Sequence, residues 1–93
     1  MEYVLIIHEV GDYSEWKLGF DNASALRKEA GELDYQVLQY EGDPNRVVHY
    51  SKWQSHEKAK IFFESEKVQK IRKQLGVKKP TFIYLTQTEA GTL

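Results

Sequence analysis

The stretch Tyr3-Val4-Leu5-Ile6-Ile7 decides the fold of this chain, because it is continuously apolar and does not alternate with polar residues. The stretch Phe82-Ile83-Tyr84-Leu85 near the other end has the same character. Continuous apolar strands are typical of a sheet that is covered on both faces. The remaining chain supplies enough helix for only one face, so we expect a second copy of the chain to cover the other. The sequence therefore predicts a homodimer.

Length and composition restrict the class of protein. The chain has 93 residues, which fit one domain over residues 1–93. Its formal net charge of -1 gives no field that attracts a polyanion or a membrane surface, so we expect neither as a partner. The lack of cysteine excludes disulfides, thiol nucleophiles and thiolate-bound metals. With no basic leader and no apolar run long enough to span a bilayer, the expected location is the cytoplasm.

Capping and turn residues predict the order of the elements. Asp12 is a candidate N-cap of the first helix, Gly31 its end, and the segment from Gly42 to Asn45 a hairpin turn. Ser65 is expected to cap a continuation of the second helical region. The predicted elements are a strand at about 3 to 10, a helix at about 13 to 30, strands at about 33 to 41 and 46 to 53, a helical region from Ser55 to Gly76, and a last strand opened by Pro80.

This order predicts a split βαβ, ferredoxin-like α+β sandwich with an antiparallel sheet. The first and third strands are expected at its centre. The fold hosts many unrelated functions, so the site must decide among them. The third strand lacks the basic-glycine-aromatic motif of RNA-recognition modules, and iron-sulfur chemistry is excluded with the cysteines.

Several short motifs together point to one family. They are Asp12-Tyr13 with Trp16, Phe20-Asp21, Asp43-Pro44-Asn45, Trp53 with Ser55 and Glu57, and Gly76-Val77 with Pro80. With these residues the chain resembles the antibiotic biosynthesis monooxygenase-like proteins of the dimeric α+β barrel superfamily. The resemblance implies a homodimer whose two sheets pack face to face, with a small-molecule pocket in each subunit between sheet and helices. We expect no bound cofactor and no metal.

The resemblance also implies a choice of activities. Members of the family include cofactor-free oxygenases of quinol-like or anthrone-like substrates, and enzymes that degrade heme. The oxygenase pattern has a tryptophan at the position of Trp53, an asparagine where this chain has His49, and a tyrosine where it has Ala59. The heme-degrading pattern has a helical histidine where this chain has Phe63. Neither pattern is complete.

A cofactor-free oxygenase must bind its substrate as an anion, because that anion passes the electron to oxygen. Its site therefore needs a base and hydrogen-bond donors. We assign His49 as the candidate base and Trp53 as the residue that shapes the pocket. The candidate substrate-binding residues are Trp16, His8, Tyr50 and Tyr84. Each of these side chains also fits a structural role in the core or in a hydrogen bond.

The face of each strand is not determined by the sequence. A shift of one residue places Val48 and Tyr50 on the pocket side in place of His49 and Trp53. In the second helical region, Val68, Ile71 and Leu75 take the inner face. The lysines of this basic segment are therefore expected on the solvated outer face.

Two classes of function remain open. The first is an enzyme for a small aromatic or quinol-like metabolite, acting by oxygen insertion without a cofactor or by proton-transfer isomerisation. The second is a non-catalytic homodimeric protein that binds a small molecule.

Overall fold

The computed structural model describes residues 2–93, which form one α+β fold with a layer of helices packed on a sheet. The elements are β1 (Glu2–Glu9), α1 (Tyr13–Asn22), α2 (Ser24–Ala30), β2 (Glu32–Tyr40), β3 (Asp43–Trp53), α3 (His56–Glu64), α4 (Glu66–Gln74) and β4 (Lys78–Thr86). The strands form one sheet in the order β2-β3-β1-β4, and every neighbouring pair is antiparallel. The predicted ferredoxin-like fold is confirmed, with β1 and β3 at its centre.

The first predicted helix is two helices, because the chain turns at Ala23. Asp12 caps α1 as expected, accepting from the backbone N–H groups of Ser14 and Glu15. At the other end, the Phe20 carbonyl accepts from Ala23 N–H and from the guanidinium of Arg27. These bonds interrupt the helical ladder, and Arg27 of α2 packs against Phe20 of α1.

The second helical region also contains two helices, and here the sequence indicated the break. Ser55 Oγ accepts from Lys58 N–H at 3.1 Å and caps α3. Ser65 has an extended backbone, donates to the Phe62 carbonyl at 2.8 Å and accepts from Val68 N–H at 3.3 Å. One serine therefore ends α3 and caps α4.

The hairpin between β2 and β3 is tighter than predicted. Its turn is Glu41-Gly42, with Gly42 at φ 82°, and β3 already begins at Asp43. The register shifts between Gln39 and Tyr40, so the segment around Pro44 forms a bulge, which is where a strand tolerates proline. Asn45 in this bulge holds the β1–α1 connection: its side chain accepts from Tyr13 N–H at 3.0 Å, and its carbonyl accepts from Val10 N–H at 2.8 Å.

The last strand starts at Lys78, two residues before the proline that was expected to open it. The β1–β4 register shifts between Ile7 and Glu9. Lys79 has a φ of 45° at this irregularity, and Pro80 follows it on an edge strand, where no ladder hydrogen bond is lost.

The central strands alternate between two faces although their sequence is continuously apolar. Val4, Ile6 and His8 are buried under the helices, together with Val47 and His49 of the neighbouring β3. The helix-covered face therefore carries the core and both strand histidines.

The opposite face of the sheet, which we call the open face, has no helix over it. It is formed by Tyr3, Leu5, Ile7, Leu38, Val48, Tyr50, Ile83 and Leu85. Leu38, Ile83 and Leu85 are 49, 39 and 37 % exposed, respectively, which is high for leucine and isoleucine. An apolar sheet face of this kind marks an interaction surface.

None of the helices within residues 2–93 combines the length and the apolar character needed to cross a bilayer.

The end of α2 provides a test of the helix boundary. Gly31 has a φ of 120°, a left-handed conformation that strains any residue with a Cβ, and an added Cβ would lie 3.2 Å from Lys58 Cδ. Gly31→Ala should lower the free energy of unfolding by about 1 kcal/mol. Gly11→Ala is the matched control, since Gly11 has open space around it. Equal urea midpoints for the two variants would contradict this account.

Candidate functional site

A cavity of about 70 Å³ lies between the helices and the covered face of the sheet. Its wall is largely apolar but includes four basic side chains. Those side chains are His8, His49, Arg27 and Arg72. Trp16, Phe20 and Leu75 contribute much of the apolar wall. A mostly apolar cavity with a few converging polar groups is the usual form of a small-molecule site.

Three buried polar side chains form a continuous hydrogen-bond network at one side of this cavity. Arg27 Nε donates to Glu32 Oε1 at 2.6 Å, and His49 Nε2 lies 2.6 Å from Glu32 Oε2. Each residue is at most 7 % exposed. The guanidinium carbon of Arg27 also lies 3.6 Å from the centre of the Phe20 ring. The network compensates the Arg27 charge and uses both oxygens of Glu32, as a buried ion pair requires.

The bond to Glu32 determines which nitrogen of His49 is the basic one. An ionised carboxylate only accepts hydrogen bonds, so Nε2 carries the proton that is donated to Glu32. In the neutral ring the lone pair then lies on Nδ1. A carboxylate behind an imidazole also stabilises the imidazolium that forms when the ring takes up a proton. His49 and Glu32 therefore have the arrangement of a general base and its orienting group.

His8 lies on β1 beside this network, with its ring centre 5.4 Å from that of Trp16. It is 5 % exposed, and its Nδ1 has no hydrogen-bond partner within the described residues. Burial lowers the pKa of His8 to about 3, and the nearby His49 and Arg72 add to the effect by repelling a second positive charge. At neutral pH, His8 is therefore an uncharged group on the cavity wall.

Arg72 lies toward the cavity, whereas Lys67, Lys70 and Lys73 of the same helix are exposed as expected. Its guanidinium is 5.1 Å from the Phe82 ring centre and reaches the cavity, and its Nη1 is buried without a partner within residues 2–93. Burial lowers the pKa of Arg72. The aliphatic part of an arginine can pack along apolar surface, which accounts for this position.

The structure brings together three of the six predicted site residues. His8, Trp16 and His49 all line the cavity. Tyr50 lies on the open face, stacked on Tyr3 at 5.2 Å. The structure therefore decides the strand parity that the sequence left open, with His49 toward the helices and Tyr50 away from them.

The other two predicted residues lie in the adjoining core. Trp53 is 1 % exposed, and its indole N–H donates to Ser51 Oγ at 2.8 Å. Tyr84 packs against the same core cluster, and burial raises its pKa. Neither lines the cavity, so the roles assigned to Trp53 and Tyr84 stay predictions.

Sequence reasoning missed Arg27, Glu32 and Arg72 as site residues. A signal existed for the two arginines, because both occur at apolar positions of a helical repeat: Arg27 is seven residues after Phe20, and Arg72 four after Val68. Glu32 gave no signal, since it opens an edge strand whose other charged residues are exposed. Within residues 2–93, no group of three or more histidine, aspartate or glutamate side chains is arranged to hold a metal ion.

The network predicts a stability effect. Glu32→Gln should lower the free energy of unfolding by about 3 kcal/mol, because it leaves the buried Arg27 charge uncompensated. Asp21→Asn, which removes the partner of the surface ion pair with Lys17, is the control and should have little effect. Denaturant unfolding of both variants measures the difference. A stability loss for Glu32→Gln no larger than that for Asp21→Asn would refute the structural importance of the network.

Solved structures share this fold over nearly the whole chain. SnoaB, a cofactor-independent oxygenase from Streptomyces nogalater, superposes with a TM-score of 0.76 at 14 % identity, covering 96 % of this chain and 95 % of its own. The ActVA-Orf6 monooxygenase of Streptomyces coelicolor, solved with the ligand nanaomycin D, gives a TM-score of 0.68 at 16 % identity, covering 99 % and 91 %. At this identity the likeness concerns the fold. No curated protein sequence gave a significant match.

The family itself is identified from the sequence match. The model of the antibiotic biosynthesis monooxygenase family matches residues 14–74, which extend from α1 to the end of α4 and include most of the cavity wall. This span is well over half of the chain, and the resemblance seen in the short motifs is confirmed. The chain belongs to the antibiotic biosynthesis monooxygenase family.

Proposed function

We propose that this protein is a cofactor-independent monooxygenase of a small aromatic or quinol-like metabolite, with the cavity as its substrate site and His49 as its base. The observation that carries the proposal is the His49–Glu32 pair, buried at the wall of an otherwise apolar cavity. Family membership supports the reaction class.

The proposed reaction balances without a further reductant. His49 takes the proton of an acidic substrate hydroxyl or activated CH₂ group, and Glu32 stabilises the imidazolium. The resulting anion passes an electron to O₂, and recombination forms a carbon–oxygen bond to a peroxide. Breaking the O–O bond leaves C=O on the substrate and, with the proton returned by His49, releases water. The overall change is CH₂ plus O₂ to C=O plus H₂O, and the substrate supplies all four electrons.

The apolar wall contributes to this chemistry by exclusion of water. Trp16 and Phe20 stack at 4.9 Å between ring centres, and Phe20 meets the His49 ring edge-on at 4.8 Å. Flat aromatic surfaces of this kind suit an aromatic substrate and hold the imidazole in one orientation. In such surroundings, the charge of the Glu32 carboxylate acts on His49 more strongly than it would in water.

The open face supports a homodimer as the assembly of the proposed enzyme. Leu5 pairs with Tyr50 of β3 and with Ile83 of β4, and so lies at the centre of this face. Its apolar neighbours continue across all four strands. A second copy would bury the same surface on both partners, as a two-fold interface requires. The cytoplasmic location expected from the sequence stays a prediction.

A non-catalytic small-molecule binder is the second candidate, and one observation favours it. Ala59, at the position of the tyrosine in the oxygenase pattern, is fully buried in the core, so that position supplies no hydroxyl group. Saturable binding without oxygen consumption by any ligand that binds would establish this alternative.

Oxygen uptake with a panel of quinols and anthrone-like phenols tests the catalytic proposal. His49→Gln keeps a donor to Glu32 and removes the base, and should lower turnover by about 100-fold or more. His56→Gln is the control, because His56 is a surface histidine that bonds the Leu85 carbonyl. Undiminished turnover in His49→Gln would disprove the role of His49.

Native mass spectrometry tests the assembly. We expect the unaltered protein to be a dimer and Leu5→Lys to be a monomer, because a lysine at the centre of the open face would be buried without a partner. Leu18→Lys is the matched control, since Leu18 is 65 % exposed on α1. A monomeric unaltered protein, or a dimeric Leu5→Lys variant with the charge tolerated, would contradict this interface.

A further inference from the structure

Two nitrogen atoms on the cavity wall have no partner within the described residues, and they come from different elements. His8 Nδ1 belongs to the central strand β1, and Arg72 Nη1 to α4, which packs over it. Buried polar atoms in native proteins nearly always have a hydrogen-bond partner, so two unpartnered atoms in one cavity indicate a missing ligand group. Both belong to residues that the base network does not use.

Charge gives the sign of that group. Arg27 and Glu32 compensate each other through their 2.6 Å ion pair, and His8 is uncharged at neutral pH. Arg72 has no carboxylate within ion-pair distance among residues 2–93, so one positive charge on the wall is left uncompensated. A single negative charge balances it.

The number and charge of the available donors narrow the chemical class of the ligand. Two donors on different elements match the two oxygens of a carboxylate, with Arg72 as the charged donor and His8, in the tautomer that carries its proton on Nδ1, as the neutral one. From these contacts we infer that the ligand of this cavity carries a carboxylate, which Arg72 and His8 bind.

This inference rests on the proposal that the cavity is the ligand site, and it defines the substrate class further. The apolar wall of Trp16 and Phe20 takes the ring, the Arg72–His8 pair takes the carboxylate, and His49 lies on the strand next to His8. An aromatic or quinol-like carboxylic acid has these three parts. His8 and Arg72 then act as binding residues that orient the ring toward His49.

Paired ligands of nearly equal shape test the inference by calorimetry and NMR, without any need for turnover. The pairs are benzoate with benzamide and acetate with acetamide, the second pair being small enough to enter without displacing the wall. Each carboxylate should bind about ten-fold more tightly than its amide. Equal binding within both pairs, or no binding of either carboxylate, would overturn the inference.

Substitutions locate the site of the effect. Arg72→Gln should remove the preference for carboxylate over amide, whereas Lys73→Gln, an exposed neighbour on the same helix, should leave the preference intact. His8→Leu should weaken carboxylate binding, and His8→Asn, which keeps a donor near the position of Nδ1, should restore it. A preference that survives Arg72→Gln would overturn the assignment.

The pKa of His8 gives a second readout, which ligand binding would not change if His8 had only a structural role. A bound carboxylate stabilises the protonated ring, so the pKa of His8, about 3 in the free protein, should rise when benzoate saturates the site. An unchanged His8 titration in the presence of bound benzoate would overturn the part assigned to His8. If carboxylates bind but no carboxylated quinol causes oxygen uptake, the carboxylate inference holds and the proposed catalysis is disproved. If oxygen uptake occurs without a preference for carboxylates, the catalysis holds and the carboxylate inference is disproved.

Discussion

The ion pair between Arg27 and Glu32 is the interaction on which the arrangement of α1, α2, β2 and the His49 side chain depends. It joins the short helix α2 to the start of the edge strand β2, and through Glu32 it reaches His49 on the central strand β3. The same guanidinium binds the Phe20 carbonyl and packs on the Phe20 ring, which ends α1 and turns the chain. A buried charge with one partner removed is costly, so the helix break, the strand position and the histidine orientation are maintained together.

The fold could be predicted from the sequence because its signals are local and agree with one another. Asp12, Ser55 and Ser65 each accept hydrogen bonds from the backbone that follows, and these caps fix where the helices begin. The errors lie where a distant contact overrides a local signal. The turn residues Pro44 and Asn45 became part of β3 because Asn45 bonds to residues of the β1–α1 connection. Strand parity was not predictable, because a continuously apolar strand gives no indication of its covered face.

The candidate site was predictable for residues whose chemistry and position in a strand or helix could both be read from the sequence, which were His8, His49 and Trp16. His8 and His49 are polar residues within apolar strands, and the strand order makes those two strands neighbours, with His8 opposite Val47 and His49 opposite Ile6. The two arginines were missed because arginine usually lies at the protein surface, whereas here the guanidinium groups lie against the rings of Phe20 and Phe82. Glu32 acquires its role from Arg27 and His49, which lie 5 and 17 residues away in the chain, and only the folded structure brings the three together.

One further contact, between Gly19 and Leu75, bears on the size of the cavity. Gly19 lies within α1, where glycine is unfavourable, and the Leu75 side chain occupies the space that a Cβ would take there. The glycine lets α1 and the end of α4 approach closely, and both Gly19 and Leu75 line the cavity of about 70 Å³. Small-molecule sites for larger ligands are typically about 300 to 1,000 Å³. An aromatic substrate of the proposed class therefore needs more space than this cavity provides, and Leu75, packed against Gly19 where α1 meets the end of α4, is a wall side chain whose movement would supply it.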